Sequence, residues 1–224
     1  MEEQLLKIFE GNSELFITTS STGEVDERGK VQVETFTVHE PVTLKLWKDH
    51  LDGKQRIGIK PEKDDLCKWG CIDIDPQSYK DYSQKKVIDI LRDNQLPLIP
   101  VRSKSGGLHL FLFLNDWSPV KDVLKKLHEW NKNFFQALEV FPMNKCMNMP
   151  YFNMNATTEF AYNENNTPIM IGGFVDLVKN KTVTLEQLSN IKVKEYEPEE
   201  DWKHYPPCIQ KMIMDKWSGN HRND

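Results

Sequence analysis

The chain has 224 residues, 38% of them hydrophobic and 10% aromatic, which is enough apolar material for one large domain or two closely packed small ones. A net charge of −5 argues against a general nucleic-acid coat protein, although phosphate contacts depend on where lysine and arginine cluster rather than on the total. The acidic start Met1-Glu2-Glu3-Gln4 has no long apolar run behind it and no segment approaches the roughly 20 apolar residues of a membrane span, so a secretory leader and a membrane span are excluded and a cytoplasmic protein is expected.

Residues 15–38 pattern as a hairpin: Leu15-Phe16-Ile17, a polar turn region, then alternating Val31, Val33 and Phe36. A helix follows from Thr43 with Leu44, Trp47 and Leu51, and residues 56–60 read as a strand. Lys45, Lys48, Lys54, Arg56, Lys60 and Lys63 form a local cationic excess, and Arg102 with Lys104 forms another. A strand over 70–75 precedes a helix over 79–92 that carries Val87, Ile88 and Leu91 on one face. Residues 96–102 form a strand whose prolines mark it as an edge or irregular one. A loop over 103–107 leads into an alternating strand over 108–114. Ser118 then caps a helix with Pro119 in its first turn and Val120, Val123, Leu124, Leu127, Phe134 and Leu138 at helical spacing. A short strand over 138–141 closes the unit.

That order, β-α-β-β-α-β, predicts an α+β fold in which an RNA-recognition-motif-like sheet packs against a smaller N-terminal α/β unit. The expected divisions are 1–66 for the N-terminal unit and 67–192 for the second unit, which ends in a hairpin over 159–162 and 168–171 and one or two short helices. Residues 193–224 are expected to form an acidic linker and the start of a helical element. Cys67, Cys71, Cys146 and Cys208 complete no zinc-binding set and read as reduced thiols.

Three segments carry chemistry. In Cys71-Ile72-Asp73-Ile74-Asp75-Pro76, strand alternation puts both aspartates on one face with Cβ atoms roughly 6.5–7 Å apart. Two such carboxylates beside an apolar core repel one another, and a divalent cation relieves the conflict; two solvated acids on an edge strand are the plainer alternative. Arg102-Ser103-Lys104-Ser105-Gly106-Gly107-Leu108-His109 combines two cations, two hydroxyls and two glycines, so it can cradle phosphate or simply turn a tight hairpin. Glu139, between Leu138 and Val140, is either a solvent-facing strand residue or the third carboxylate of a two-metal phosphoryl-transfer site.

In this order the Asp-x-Asp strand, the Ser-Lys-Ser-Gly-Gly-x-His segment and Glu139-x-Phe141-Pro142 resemble the archaeo-eukaryotic primase superfamily, especially primase-polymerases of phages and mobile elements. His50-Leu51-x-Gly53, Gly58-Ile59-x-Pro61, Cys67-x-Trp69-Gly70 and Asn148-Met149-Pro150-Tyr151-Phe152 extend the likeness over most of the chain, from about Thr43 to Phe174, and it continues faintly to the C-terminus. The resemblance implies template-directed synthesis or extension of a primer in DNA replication. It implies that Asp73, Asp75 and Glu139 bind two Mg²⁺ or Mn²⁺ ions, and that Arg102, Ser103, Lys104, Ser105, Gly107 and His109 hold the nucleoside triphosphate. Single-stranded DNA template and primer are the implied partners. The sequence departs from the family where Gly107 replaces a serine and where the segment after Pro142 is short. Pro206-Pro207-Cys208-x-Gln210 and Gly219-x-x-Arg222-Asn223 resemble the opening of a longer helical element, so a helicase domain is expected beyond it in a longer protein. A two-metal phosphohydrolase or nuclease and a non-catalytic single-strand-binding module stacking bases on Trp47, Trp69 or Phe111 are the competing readings. A sugar-nucleotide transferase built on Asp-x-Asp is a more distant one.

Overall fold

The computed structural model describes residues 1–25, 31–76 and 82–193, and these build two antiparallel sheets. In chain order the elements begin with α1 (Glu2–Ile8), β1 (Phe16–Val25), β2 (Val31–Val38), α2 (Leu44–Leu51), β3 (Arg56–Ile59), β4 (Glu62–Lys63) and β5 (Leu66–Ile74). There follow α3 (Gln84–Asp93), β6 (Leu98–Arg102), β7 (Leu108–Pro119), α4 (Val120–Trp130) and β8 (Glu139–Phe141). The last are β9 (Met147–Asn148), β10 (Ala161–Tyr162), β11 (Pro168–Ile169), α5 (Ile171–Lys181) and α6 (Leu185–Asn190). The predicted acidic linker and terminal helical element, from 194 on, lie outside the described residues, as does the predicted start of α3 at 79–81.

The first sheet runs β2-β1-β3-β9, so two residues from beyond β8 complete the N-terminal layer. The second runs β11-β10-β6-β7-β5-β4, with β8 paired to β5. Within it β5, β6, β7 and β8 stand in the spatial order β6-β7-β5-β8, every pair antiparallel. The two faces of this sheet have separate cores because strand side chains alternate. Ile72, Ile74, Leu98, Leu108, Leu110, Leu112 and Val140 face α3 and α4, meeting Val87, Ile88, Leu91, Val123 and Leu127. Trp69, Cys71, Ile99, Val101, Phe111, Phe113 and Phe141 face the first sheet and its helices, meeting Phe16, Trp47, Leu51, Ile57 and Ile59. Phe9, at the end of α1, joins these parts: its ring centroid lies 5.3–6.0 Å from those of Trp47, Trp69, Phe111, Phe113 and Phe174.

Several boundaries differ from the sequence expectation. β5 starts at Leu66 rather than at 70, and β7 runs on to Pro119 because Leu66 pairs with Pro119 and Cys67 with Ser118. Ser118 therefore ends a strand, its hydroxyl donating to Asp116 O, and Pro119 takes the N-cap position. β6 is not an edge strand, since it lies between β7 and β10; β10 meets it only at Val101, so Pro100, which has no N–H to give, escapes that pairing. The helix expected from Thr43 starts there: Thr43 is the N-cap of α2, its Oγ1 accepting from Leu46 N at 3.3 Å.

Candidate active site

Across the second sheet Asp73 stands opposite His109 of β7 on one side and Glu139 of β8 on the other. Directly opposed residues of antiparallel strands share a face, so Glu139, Asp73 and His109 make one transverse row. One step back along the strands the same face is apolar, with Cys71 opposite both Phe111 and Phe141. One step forward the strands end, and Asp75 lies exposed just beyond β5. Burial first, then the charges of Glu139 and Asp75, push the Asp73 carboxyl up to about 6. Burial lowers His109 to about 4, so at neutral pH its Nε2, 3.5 Å from Asp73 Oδ1, belongs to a neutral ring.

Glu139 reaches the row through an unusual helix end. After α4 comes a single π-helical turn, Asn131–Phe135, and Gln136 is left-handed at φ 54°. The buried Asn131 amide donates to Ala137 O at 2.9 Å and accepts from Ala137 N at 2.7 Å. This clamp turns the chain into β8. Leu138, expected as the last apolar residue of the helix, is instead 81% exposed.

Ser103–Gly107 is a tight hairpin at the end of β6 and β7. Gly106 N donates to Ser103 O at 3.0 Å and Ser103 N to Gly107 O at 2.9 Å, with Gly106 at φ 90°, the left-handed glycine of a short hairpin loop. The Ser103 and Ser105 hydroxyls are 3.0 Å apart, and Lys104 is exposed. A Cβ on Gly107 would lie 2.1 Å from Ile74 O and 2.7 Å from Pro76 Cδ. Gly107 thus packs the hairpin against the Asp-x-Asp strand, and a serine in its place has no room. Arg102 lies along the segment before β10, its backbone N–H on Phe160 O and Nη1 on Thr158 O, both at 2.9 Å.

A family model described as "TOTE conflict system, Archaeo-Eukaryotic Primase domain" matches residues 14–142, more than half of the chain. The chain belongs to this family. A comparison with curated proteins gave no match. The primase-domain match takes in β1 through β8, and with them Asp73, Asp75, the hairpin, His109 and Glu139. Membership gives the chain a primase-like, nucleotidyltransferase type of chemistry. No described helix is long and apolar enough to cross a membrane.

Two ion pairs were not foreseen from the sequence. Arg56 of β3 and Glu159, 103 residues apart, form a buried two-point ion pair, Nη2 to Oε1 at 2.8 Å and Nη1 to Oε2, with the guanidinium 4.2 Å from the Phe152 ring. Glu159 sits between the two residues gripped by Arg102, so the pair ties the first sheet to the strand end beside the hairpin. Lys145 Nζ lies 3.0 Å from Glu139 Oε1. The matched region stops short of both Glu159 and Lys145. The cationic excess read at 45–63 is largely neutralised: Lys45 pairs with Asp49, Lys48 and Lys54 with Asp52, and Arg56 with Glu159. Trp47, Trp69 and Phe111 are fully buried, so none of them is a base-stacking platform.

The chemistry of the donor set suits a hard divalent cation: Asp73, Asp75 and Glu139 offer carboxylate oxygens only, and their mutual repulsion is what a cation relieves. Among the described residues no three His, Cys, Asp or Glu side chains yet converge on one point. Glu139 is engaged with Lys145 instead.

Proposed function

We propose that this chain is a DNA primase-polymerase core that transfers nucleotidyl groups from nucleoside triphosphates to a primer end on a single-stranded template. The observation that carries the reading is the in-register row Glu139–Asp73–His109, set beside a cation- and hydroxyl-bearing hairpin, in a chain of the primase family. The order β6-β7-β5-β8 with α3 and α4 on one face supports an RNA-recognition-motif-like catalytic sheet. Its other face is closed by the N-terminal sheet except at the acidic end.

Asp73, Asp75 and Glu139 would hold Mg²⁺ or Mn²⁺, which when bound supplies charge neutralisation at the attacking and leaving oxygens. Lys104, Arg102 and the hydroxyls of Ser103 and Ser105 would bind the triphosphate at the hairpin. His109, held neutral by burial, can give one N–H to a phosphate oxygen without adding charge next to Asp73. Gly107 keeps the hairpin against Ile74, which sets the separation between phosphate and acids. In a longer protein a helicase domain would supply the single-stranded template in the cytoplasm.

The test is primer extension on a single-stranded template with Mg²⁺ or Mn²⁺. Asp73→Ala with Asp75→Ala is expected to lose at least about 10³-fold in incorporation while circular dichroism and thermal melting show a folded protein. Incorporation retained with Mn²⁺ removes the acid row from catalysis.

A further inference from the structure

Lys145 is the cation that reaches the acid row from the segment after Pro142. Its ammonium sits on Glu139, the outermost acid of the row, while Asn144 beside it accepts from Lys60 Nζ at 2.7 Å and is left-handed at φ 57°. Lys60 ends the run out of β3, whose edge holds β9, so the loop carrying Lys145, which leaves β8 of the second sheet, is tied to the first sheet at Asn144 and at β9. The Lys145–Glu139 pair is half-exposed, with side chains 59% and 40% accessible, so either partner can leave without unfolding anything.

We propose that Lys145 is a resident counter-ion of the acid site that competes with the divalent cation for Glu139. The inference rests on the metal-dependent reading above. With Lys145 on Glu139, one of the charges that crowd Asp73 is partly offset in the absence of a metal. A divalent cation that takes Glu139 must first displace the ammonium, which weakens metal binding and frees a positive charge at the mouth of the site. Lys145 stands six residues after Glu139, close enough along the chain for its ammonium to fold back onto that carboxylate.

Mn²⁺ binding, followed by the loss of the free-ion electron paramagnetic resonance signal, tests this without any turnover. Lys145→Gln is expected to tighten the Mn²⁺ dissociation constant by about two- to fivefold, the size expected for removing a half-exposed competing ion pair. Lys63→Gln, an exposed lysine of β4, controls for the loss of one positive charge and is expected to change it by less than about twofold. In a Glu139→Gln background, Lys145→Gln should produce no tightening. The proposal is overturned if Lys145→Gln binds Mn²⁺ no tighter than the wild type, if Lys63→Gln tightens it equally, or if the gain survives in Glu139→Gln; each result leaves the metal site standing. Absence of Mn²⁺ binding in the wild type and in Lys145→Gln overturns both the metal reading and the counter-ion with it.

Discussion

His109 and Phe111 are two residues apart on β7 and face the same way, their rings 5.9 Å apart and perpendicular, yet they belong to opposite environments. On the Phe111 side the face is sealed: Trp69, Cys71 and Phe111 have no accessible surface, and Phe9 plugs the gap between α1, α2 and the sheet. On the His109 side the same face carries acids, hydroxyls and cations. At the sealed end the apolar contacts add to stability. At the open end Asp73 is held in its charged form against burial and two neighbouring carboxylates, so that end costs stability. In the proposed reading, a binding site for a cation is made by stopping the core one strand-step early and leaving like charges on rigid strands.

The sealed end is broken most severely by Phe9→Ala, which removes one ring from five aromatic contacts and is expected to lower unfolding stability by about 3–5 kcal/mol. Denaturant unfolding measures it. Assayed well below its melting temperature, the variant should keep the Mn²⁺ affinity of the wild type, because no contact of Phe9 touches the acid row. A loss below about 1 kcal/mol would mean that α1 does not carry the seam between the two sheets.

At the open end the expected sign is reversed. Asp73→Asn keeps the shape and removes the charge, so in EDTA at pH 7 it is expected to stabilise the protein by about 2 kcal/mol while abolishing incorporation. Asp73 has its carboxyl raised to about 6 from an ordinary 3.8. The folded protein therefore binds its proton more tightly than the unfolded chain does, and stability is lost as pH rises through about 4 to 6. At pH 3.5, where both states are protonated, the gain from Asp73→Asn should vanish. An equal gain at both pH values would assign the effect to packing rather than charge.

How far these two ends were legible from the sequence differs with range. The alternation through Ile72-Asp73-Ile74 and the helical stripes of α3 and α4 are local, and they place Asp73 correctly opposite the apolar face. The extent of β5 and β7 is not local. Lys68 interrupts the apolar pattern because its ammonium reaches Glu10, 2.7 Å away, and Ser118-Pro119 reads as a helix start although pairing with Leu66 and Cys67 draws it into the sheet. Arg56 and Glu159 look like two surface charges until the fold brings them together across 103 residues. Gly107 reads as a missing hydroxyl, whereas Ile74 O leaves no space for one. The lysines of α2 could have been discounted from the sequence, since Asp49 and Asp52 stand four residues after Lys45 and Lys48.

A pH profile separates two histidines that burial shifts in the same direction. His50, like His109, is lowered to about 4, but its two nitrogens are both engaged inside the protein: Nδ1 accepts from Ile57 N at 3.2 Å and Nε2 donates to Pro150 O at 2.9 Å. The neutral ring is thus required by the fold, and protonating it removes the acceptor that Ile57 N–H uses. Because the unfolded chain takes up this proton near 6.5 and the folded protein only near 4, the stability tied to the neutral ring is complete above about 6.5 and is lost as pH falls toward 4, by at most about 3 kcal/mol. Over most of that window His109, lowered by burial in the same way, adds to this loss while Asp73 acts in the opposite sense, gaining stability on acidification, so the wild-type profile measured in EDTA is the sum of all three groups. Asp73→Asn should steepen the acid-side loss, and His50→Gln should flatten it on a lower baseline. Melting temperatures taken at half-unit steps from pH 7 to pH 4 read both slopes. A profile that His50→Gln leaves unchanged would show that the pH response belongs to the open end of the sheet alone.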